Sequence, residues 1–264
     1  MDLELTSMKL GFQSGLATIT FTQAKRGNPI DATFCTEMNQ VVQSLANLEG
    51  LRAILLLAEG KSFSFGGDLV GFKQAGDQLP GLVRSMLADM NVALSRLYRL
   101  PAPTVVGIQG FCMGGMIGLV AGCDYVVAGE STKLGAAFSG VGFSIDTASS
   151  STLTMRMGTA RARRFELMAE MLTSSQAAEA GLVDEIVPDD DVVAKATEVA
   201  TRLASGPTQA YAGIKELFLA SSGIHLEQQS ELEATILAKV SSSEDSKEGV
   251  NAMLEKRKPS FSGK

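Results

Sequence analysis

Residues 104–123 carry no charged side chain, stop against Asp124, and place Gly110, Gly114, Gly118 and Gly122 at every fourth position. An uncharged run of about 20 residues is long enough to span a bilayer, and small residues four apart pack membrane helices together. The competing solution is a buried strand over 104–108, a glycine-rich turn over 109–114, and a buried helix from about Gly115. Local signals decide for the second. Pro101 and Pro103 punctuate the entrance, Val105 and Val106 favour a strand, and Gly107 and Gly110 would each weaken a helix by about 1 kcal/mol relative to alanine. A water-soluble strand–turn–helix is predicted.

That junction has chemical potential. The first amides of a helix have no partner within it and point outward from the positive end of its dipole. With no Cβ at Gly114 or Gly115, a substrate oxygen can approach closely, which suits a phosphate or a developing oxyanion. Tight helix–strand packing asks for the same glycines, so this spacing alone does not fix a function.

At 264 residues and 45% hydrophobic content the chain can bury a substantial core. A net charge of −6 argues against a general nucleic-acid binder, which needs a basic face. Cys35, Cys112 and Cys123 lack metal-ligand spacing and read as structural thiols of a reducing compartment. The acidic start, Met1-Asp-Leu-Glu-Leu, has no basic segment followed by an apolar one. A cytoplasmic protein without a membrane partner is expected.

Along the chain, alternation over 8–22 around Ser14-Gly15 predicts a hairpin. A basic loop with Lys25 and Arg26 precedes a helix capped by Asp31 or Thr33 and running to about Leu48. The apolar run 52–58 is a buried strand. A second glycine turn, 60–69, leads into a stretch (71–80) whose Gly76, Pro80 and Gly81 predict poor order. A helix follows over 82–100 with Val83, Met86, Leu87, Met90, Leu94 and Leu97 on one face. Short strands over 124–128 and 133–135, helices over 148–158 and 159–168, a helix capped by Ser174 or Ser175, and a strand over 183–187 complete an α/β core. Helices at 192–204, 208–221, 226–239 and 246–256 close the chain. Gly206-Pro207 divides a core (1–205) from a C-terminal helical region (206–264).

Two glycine turns at two strand–helix junctions could offer two amides to one oxygen. Here the residues resemble the crotonase (enoyl-CoA hydratase/isomerase) superfamily. Stretch 25–28, Lys-Arg-Gly-Asn, looks like its early adenine-side loop; 63–68, Phe-Ser-Phe-Gly-Gly-Asp, is similar to its F-x-x-G-A-D turn; and 110–115, Gly-Phe-Cys-Met-Gly-Gly, resembles its G-x-x-x-G-G turn. Stretches 178–183 and 249–258 match later family segments. The resemblance implies a spiral of ββα units with a C-terminal helical trimerisation region, assembled as a homotrimer or a hexamer. It implies an acyl-CoA thioester as ligand, with coenzyme A as part of the substrate and no separate cofactor. The thioester oxygen would lie between the amides of Gly67 and Gly115, and Lys25, Arg26 and Lys256 would meet the coenzyme. Phe65, Asp68, Leu69, Met113, Gly114 and Phe138 fall beside these motifs and are expected to contact substrate. An apolar cleft from Phe65, Met113, Met116, Phe138 and Phe143 hints at a hydrophobic or aryl acyl group.

The family varies its acid–base groups over a fixed oxyanion site. By the resemblance, the hydratases' two glutamates correspond to Gly118 and Phe138, so both carboxylates are missing here. Asp146 stands where some family isomerases and aryl-CoA dehalogenases carry a catalytic aspartate. An isomerase would use it to move a proton through an enolate, and burial would raise its pKa for that role. A dehalogenase or hydrolase would use it as nucleophile and would need a histidine, but the single histidine is His225, in the helical tail, and the chain has no tryptophan. A hydratase with non-standard groups, a non-catalytic CoA-ester binder, and plain N-capping of the next helix by Asp146 are the alternatives. Asp68 either assists catalysis or orders its loop.

Overall fold

A computed structural model of the chain describes residues 3–221 and 225–260. Strands β1 (Met8–Gln13) and β2 (Leu16–Phe21) form the expected hairpin, with Ser14 and Gly15 both at positive φ, the geometry a two-residue turn needs to match strand twist. Asp31 caps α1 (Ala32–Ala46) by accepting from the Phe34 amide at 2.9 Å. Then come β3 (Ala53–Ala58), α2 (Leu69–Ala75), α3 (Leu79–Arg99), β4 (Thr104–Ile108), β5 (Phe111–Met113), α4 (Gly115–Ala121), β6 (Tyr125–Gly129) and β7 (Lys133–Gly135). After them run α5 (Ser149–Met157), α6 (Thr159–Leu167), β8 (Met171–Thr173), α7 (Ser174–Glu179) and β9 (Glu185–Val187). The chain ends in α8 (Val192–Ala204), α9 (Thr208–Ser221), α10 (Leu226–Val240) and α11 (Glu244–Leu254).

The large sheet has six strands in the order β1-β2-β3-β4-β6-β9, parallel after the first pair. The order never reverses, so the chain winds in one direction and has no switch point of the doubly wound kind. β5, β7 and β8 form a second sheet. Parallel bridges Ser64↔Cys112 and Ile30↔Gly67 continue that layer backward. Each turn thus lays a long strand in one layer and a short one in the other before its helix, the ββα spiral that the resemblance implies. The strands are apolar on both faces because both are covered. Leu55, Val105 and Val127 meet α8 through Ala196, Val199 and Ala200, while Ile54, Leu56, Val106 and Val126 face the main core.

Stretch 71–80 is ordered, contrary to the sequence expectation. α2 covers its first half and α3 begins at Leu79, with Pro80 in its first turn, where proline lacks only an amide that would be unsatisfied anyway. The cap of α7 is Thr173 rather than either serine: its hydroxyl accepts from Gln176 N at 3.2 Å, and the Gln176 side chain accepts from Thr173 N at 3.0 Å. The 109–114 turn also carries the short strand β5.

The last helices fold back on the chain's own core. α10 lies along α3, with ion pairs Arg84–Glu231 (2.9 Å) and Arg99–Glu227 (2.8 Å) and a bond from Asn91 Nδ2 to Ser230 O (2.9 Å). α11 packs on α2, and Gly249 lies directly against the backbone of Val141. Among the described residues no helix is long and apolar enough to cross a membrane.

Candidate active site

Phe65, Gly67, Leu69, Met113, Gly114, Gly115, Phe138 and Asp146 line one cavity of about 310 Å³. Two successive turns of the spiral build it. Cys112 bridges to Ser64, and the Met113 amide donates to Ser64 O at 3.1 Å. That pairing sets the 64–67 turn beside the start of α4. Gly66 lies so close to Met113 that a Cβ on it would stand 2.9 Å from the Met113 carbonyl oxygen, a contact only glycine permits. Among the described residues, neither the Gly67 nor the Gly115 amide donates to a protein acceptor. Two unengaged N–H donors therefore border one apolar cavity.

Asp146 approaches from the opposite strand–helix connection. Its Oδ1 lies so near Gly115 that a Cβ there would stand 2.8 Å from it, and that oxygen has no hydrogen-bond partner among the described residues. Asp146 does not cap α5, contrary to one sequence reading. The N-cap is Ala148, with no side-chain cap bond. Between them the backbone is strained: Thr147 and Ala148 have φ of 53° and 58°, and left-handed non-glycine residues cost about 1–3 kcal/mol each. The Thr147 hydroxyl restrains this link, donating to Gly115 O at 2.7 Å.

Burial pushes the Asp146 pKa up to about 7, the charge of Glu233 adds to the rise, and a bond from Thr147 opposes it. The carboxyl thus sits near the point where it can both take and give a proton at neutral pH. Two further buried acids lie nearby. Glu166 in α6 is raised to about 8 by burial and then by Asp146 and Glu233. Glu233 in α10 is raised by burial, against hydrogen bonds from Ser150 and the nearby amide of Ala148. Neither lines the cavity. Cys35 does line it, but burial, reinforced by Asp146, pushes its thiol upward and leaves it unreactive.

The position of the first absent glutamate has no room for one. A Cβ on Gly118 would meet Thr147 Oγ1 at 2.6 Å and Thr147 O at 2.7 Å. Phe138, at the second, presents its ring to the cavity. Met116 is fully buried elsewhere in the core and does not line the cavity.

The remaining candidates sit outside. Arg26 bonds Asp31 at 2.7 Å and Asp68 at 2.9 Å, tying the early loop to the Gly67 turn. The Asp68 carboxylate is thereby turned to its loop rather than to the cavity. Lys25 and Lys256 are exposed and off the cavity wall. His225 is exposed at the N-cap of α10, also off that wall.

Sequence reasoning missed the far wall. Val83, Met86 and Leu87 of α3, Leu237 of α10 and Met253 of α11 complete the cavity. The α3 residues do lie on a buried face, as their periodicity predicts; periodicity cannot distinguish a face against solid core from one against a hollow.

The family model described as "Enoyl-CoA hydratase/isomerase" matches residues 11–264. The chain is 31% identical to the trans-2-decenoyl-[acyl-carrier-protein] isomerase of Streptococcus mutans, over 95% of this chain and 96% of that protein. It is 29% identical to the 1,2-epoxyphenylacetyl-CoA isomerase of Escherichia coli, over 96% and 97%. The crystal structure of an enoyl-CoA hydratase/isomerase from Pseudoalteromonas atlantica superimposes with a TM-score of 0.83 at 26% identity, covering 97% of this chain and all of that one.

Proposed function

Because this chain belongs to the enoyl-CoA hydratase/isomerase family, we propose that it moves a carbon–carbon double bond in an acyl-CoA thioester by proton transfer through an enolate, with Asp146 as the acid–base group. The observation that carries this reading is Asp146 itself. Among the described residues it is the one Asp or Glu on an otherwise apolar cavity wall, beside Gly115 and near neutral pKa.

In the proposed reaction the Asp146 carboxylate takes a proton from a carbon flanking the double bond. The released electron pair moves through the conjugated system onto the thioester oxygen, which the Gly67 and Gly115 amides hold. One such donor typically contributes about 3–4 kcal/mol to the transition state. The protonated Asp146 then returns its proton at the other end of the system, restoring the thioester carbonyl with the double bond shifted. Water addition would ask for a second carboxylate to hold the water, and neither Glu166 nor Glu233 lines the cavity. A covalent route would ask for a base to activate water, and His225 is outside it.

The test is NMR in D2O with enoyl-, dienoyl- and aryl-acyl-CoA thioesters. Double-bond migration, or deuterium entering the α or γ carbon, is expected. Hydration as the main product, or binding without exchange across the panel, overturns the proposal.

We also expect a homotrimer or a dimer of trimers. α9 exposes Ile214, Leu217 and Phe218, at 52%, 71% and 73% of their surface, an apolar face that assembly would cover. Light scattering should give three or six times the 27.7-kDa chain mass; a monomer would dismiss this expectation.

A further inference from the structure

Helix α10 reaches the catalytic loop through Glu233 and Gln229. Glu233 is only 4% exposed. Its Oε1 accepts from Ser150 N at 3.0 Å and from Ser150 Oγ at 2.6 Å, and Gln229 Nε2, one turn earlier, donates to that same hydroxyl at 2.7 Å. Glu233 Oε2 has no hydrogen-bond partner among the described residues, though the nearby Ala148 amide also eases the Glu233 charge. These amides open α5, whose own N-cap, Ala148, has no side chain able to cap it. They also adjoin the left-handed Thr147–Ala148 link. Such a link persists only where surrounding contacts over-determine it. Thr147 is pinned to Gly115 on one side, and Glu233 supplies a hold on the other through Ser150.

Resting on the reading of Asp146 as the acid–base group, we propose that Glu233 is a positioning residue that clamps the Thr147–Ala148 link and thereby fixes Asp146 beside Gly115. The role is geometric first and electrostatic second. The ionisable groups acting on Asp146 or acted on by it are Cys35 from α1, Glu166 from α6 and Glu233 from α10, and Tyr98 from α3 also senses Glu233. No buried cation accompanies them among these groups, so removing the charge of Glu233 favours an ionised Asp146.

Two substitutions separate reach from charge. Glu233→Asp keeps the charge but draws the carboxylate back by one methylene. Glu233→Gln keeps the reach and an oxygen acceptor but removes the charge. Clamping predicts that Glu233→Asp lowers kcat by about 10- to 100-fold, the usual result of misplacing a catalytic group by about 1 Å, with KM little changed and the pH midpoint retained. Glu233→Gln should stay within about 3-fold of wild type at its optimum, with the acid limb of its pH–rate profile moved to lower pH. Wild type and Asp146→Asn are assayed alongside. Loss of turnover in Asp146→Asn with wild-type kcat in Glu233→Asp overturns the clamp while leaving the reaction proposal standing. A Glu233→Gln variant more impaired than Glu233→Asp also overturns it, as would a fall in Tm in both variants with kcat and pH profile unaltered. Unchanged turnover in Asp146→Asn overturns both proposals.

Discussion

Asp146→Asn is expected to lower turnover by about 10²–10⁴-fold, the usual contribution of a positioned acid–base group, while acyl-CoA affinity stays within a few-fold of wild type. Asparagine nearly preserves shape but cannot carry the proton. Calorimetric binding beside the exchange assay separates the two effects, and unchanged turnover removes Asp146 from the mechanism. In the wild type, kcat/KM should rise with pH on a single-proton limb with its midpoint near 7, because the base must be ionised and burial holds its pKa at about 7. The same shift has a stability consequence of opposite sense. A carboxyl whose pKa is raised on folding contributes stability below its unfolded value near 4, and loses it as pH climbs through 7. The loss is at most about 4 kcal/mol. Asp146→Asn should therefore melt above wild type at pH 8, by an amount that shrinks toward pH 4. A substitution that removes activity while raising Tm is the mark of a group held in an unfavourable setting for its chemistry.

Gly115→Ala is expected to be nearly as damaging by another route. The added methyl would stand 2.8 Å from Asp146 Oδ1, 3.2 Å from Thr147 Cγ2 and 3.3 Å from Ile30 Cδ1. None of these can retreat freely: Thr147 is bonded to the Gly115 carbonyl, and Ile30 is paired to the 66–68 turn that holds Gly67. One methyl would displace the acid–base group and crowd the proposed oxyanion position together. Turnover should fall by about 10²–10³-fold, as when an oxyanion donor is lost, with stability reduced by about 1–3 kcal/mol, as in other overpacked sites. Near-normal turnover in a folded Gly115→Ala protein would remove this amide from the reaction.

The near wall of the site was legible in the sequence and the far wall was not, for a physical reason. Gly67, Gly115 and Asp146 sit at turns, where local chemistry marks a strand–helix junction whatever the rest of the fold does. Glu233 lies within a helix whose charges look solvated, and no local signal marks one of them as buried. One periodic signal exists. Ser230, Glu233, Ala234 and Leu237 are all buried along α10, as is Ser241 at its C-cap, at the spacing of one helix face. An acid on such a stripe, beside the exposed Glu231, could have been singled out. The order of stretch 71–80 is hidden in the sequence because glycine and proline there resemble breakers, although Pro80 stands at a helix start. The strained Thr147–Ala148 link had no sequence signature; neither residue type favours a left-handed backbone, and only tertiary contacts impose it.

The origin of the far wall bears on how the protein acquires competence during synthesis. Both glycine turns and Asp146 lie in the first part of the chain to leave the ribosome, whereas Leu237, Met253 and Glu233 come from α10 and α11. Chains fold from the N-terminus as they emerge. A nascent chain halted after α9 would hold every group of the proposed reaction around an open cleft, with the Asp146 link held only from the Thr147 side. Activity should then appear abruptly with the last two helices, so that an incomplete product is inert toward acyl-CoA rather than partly active.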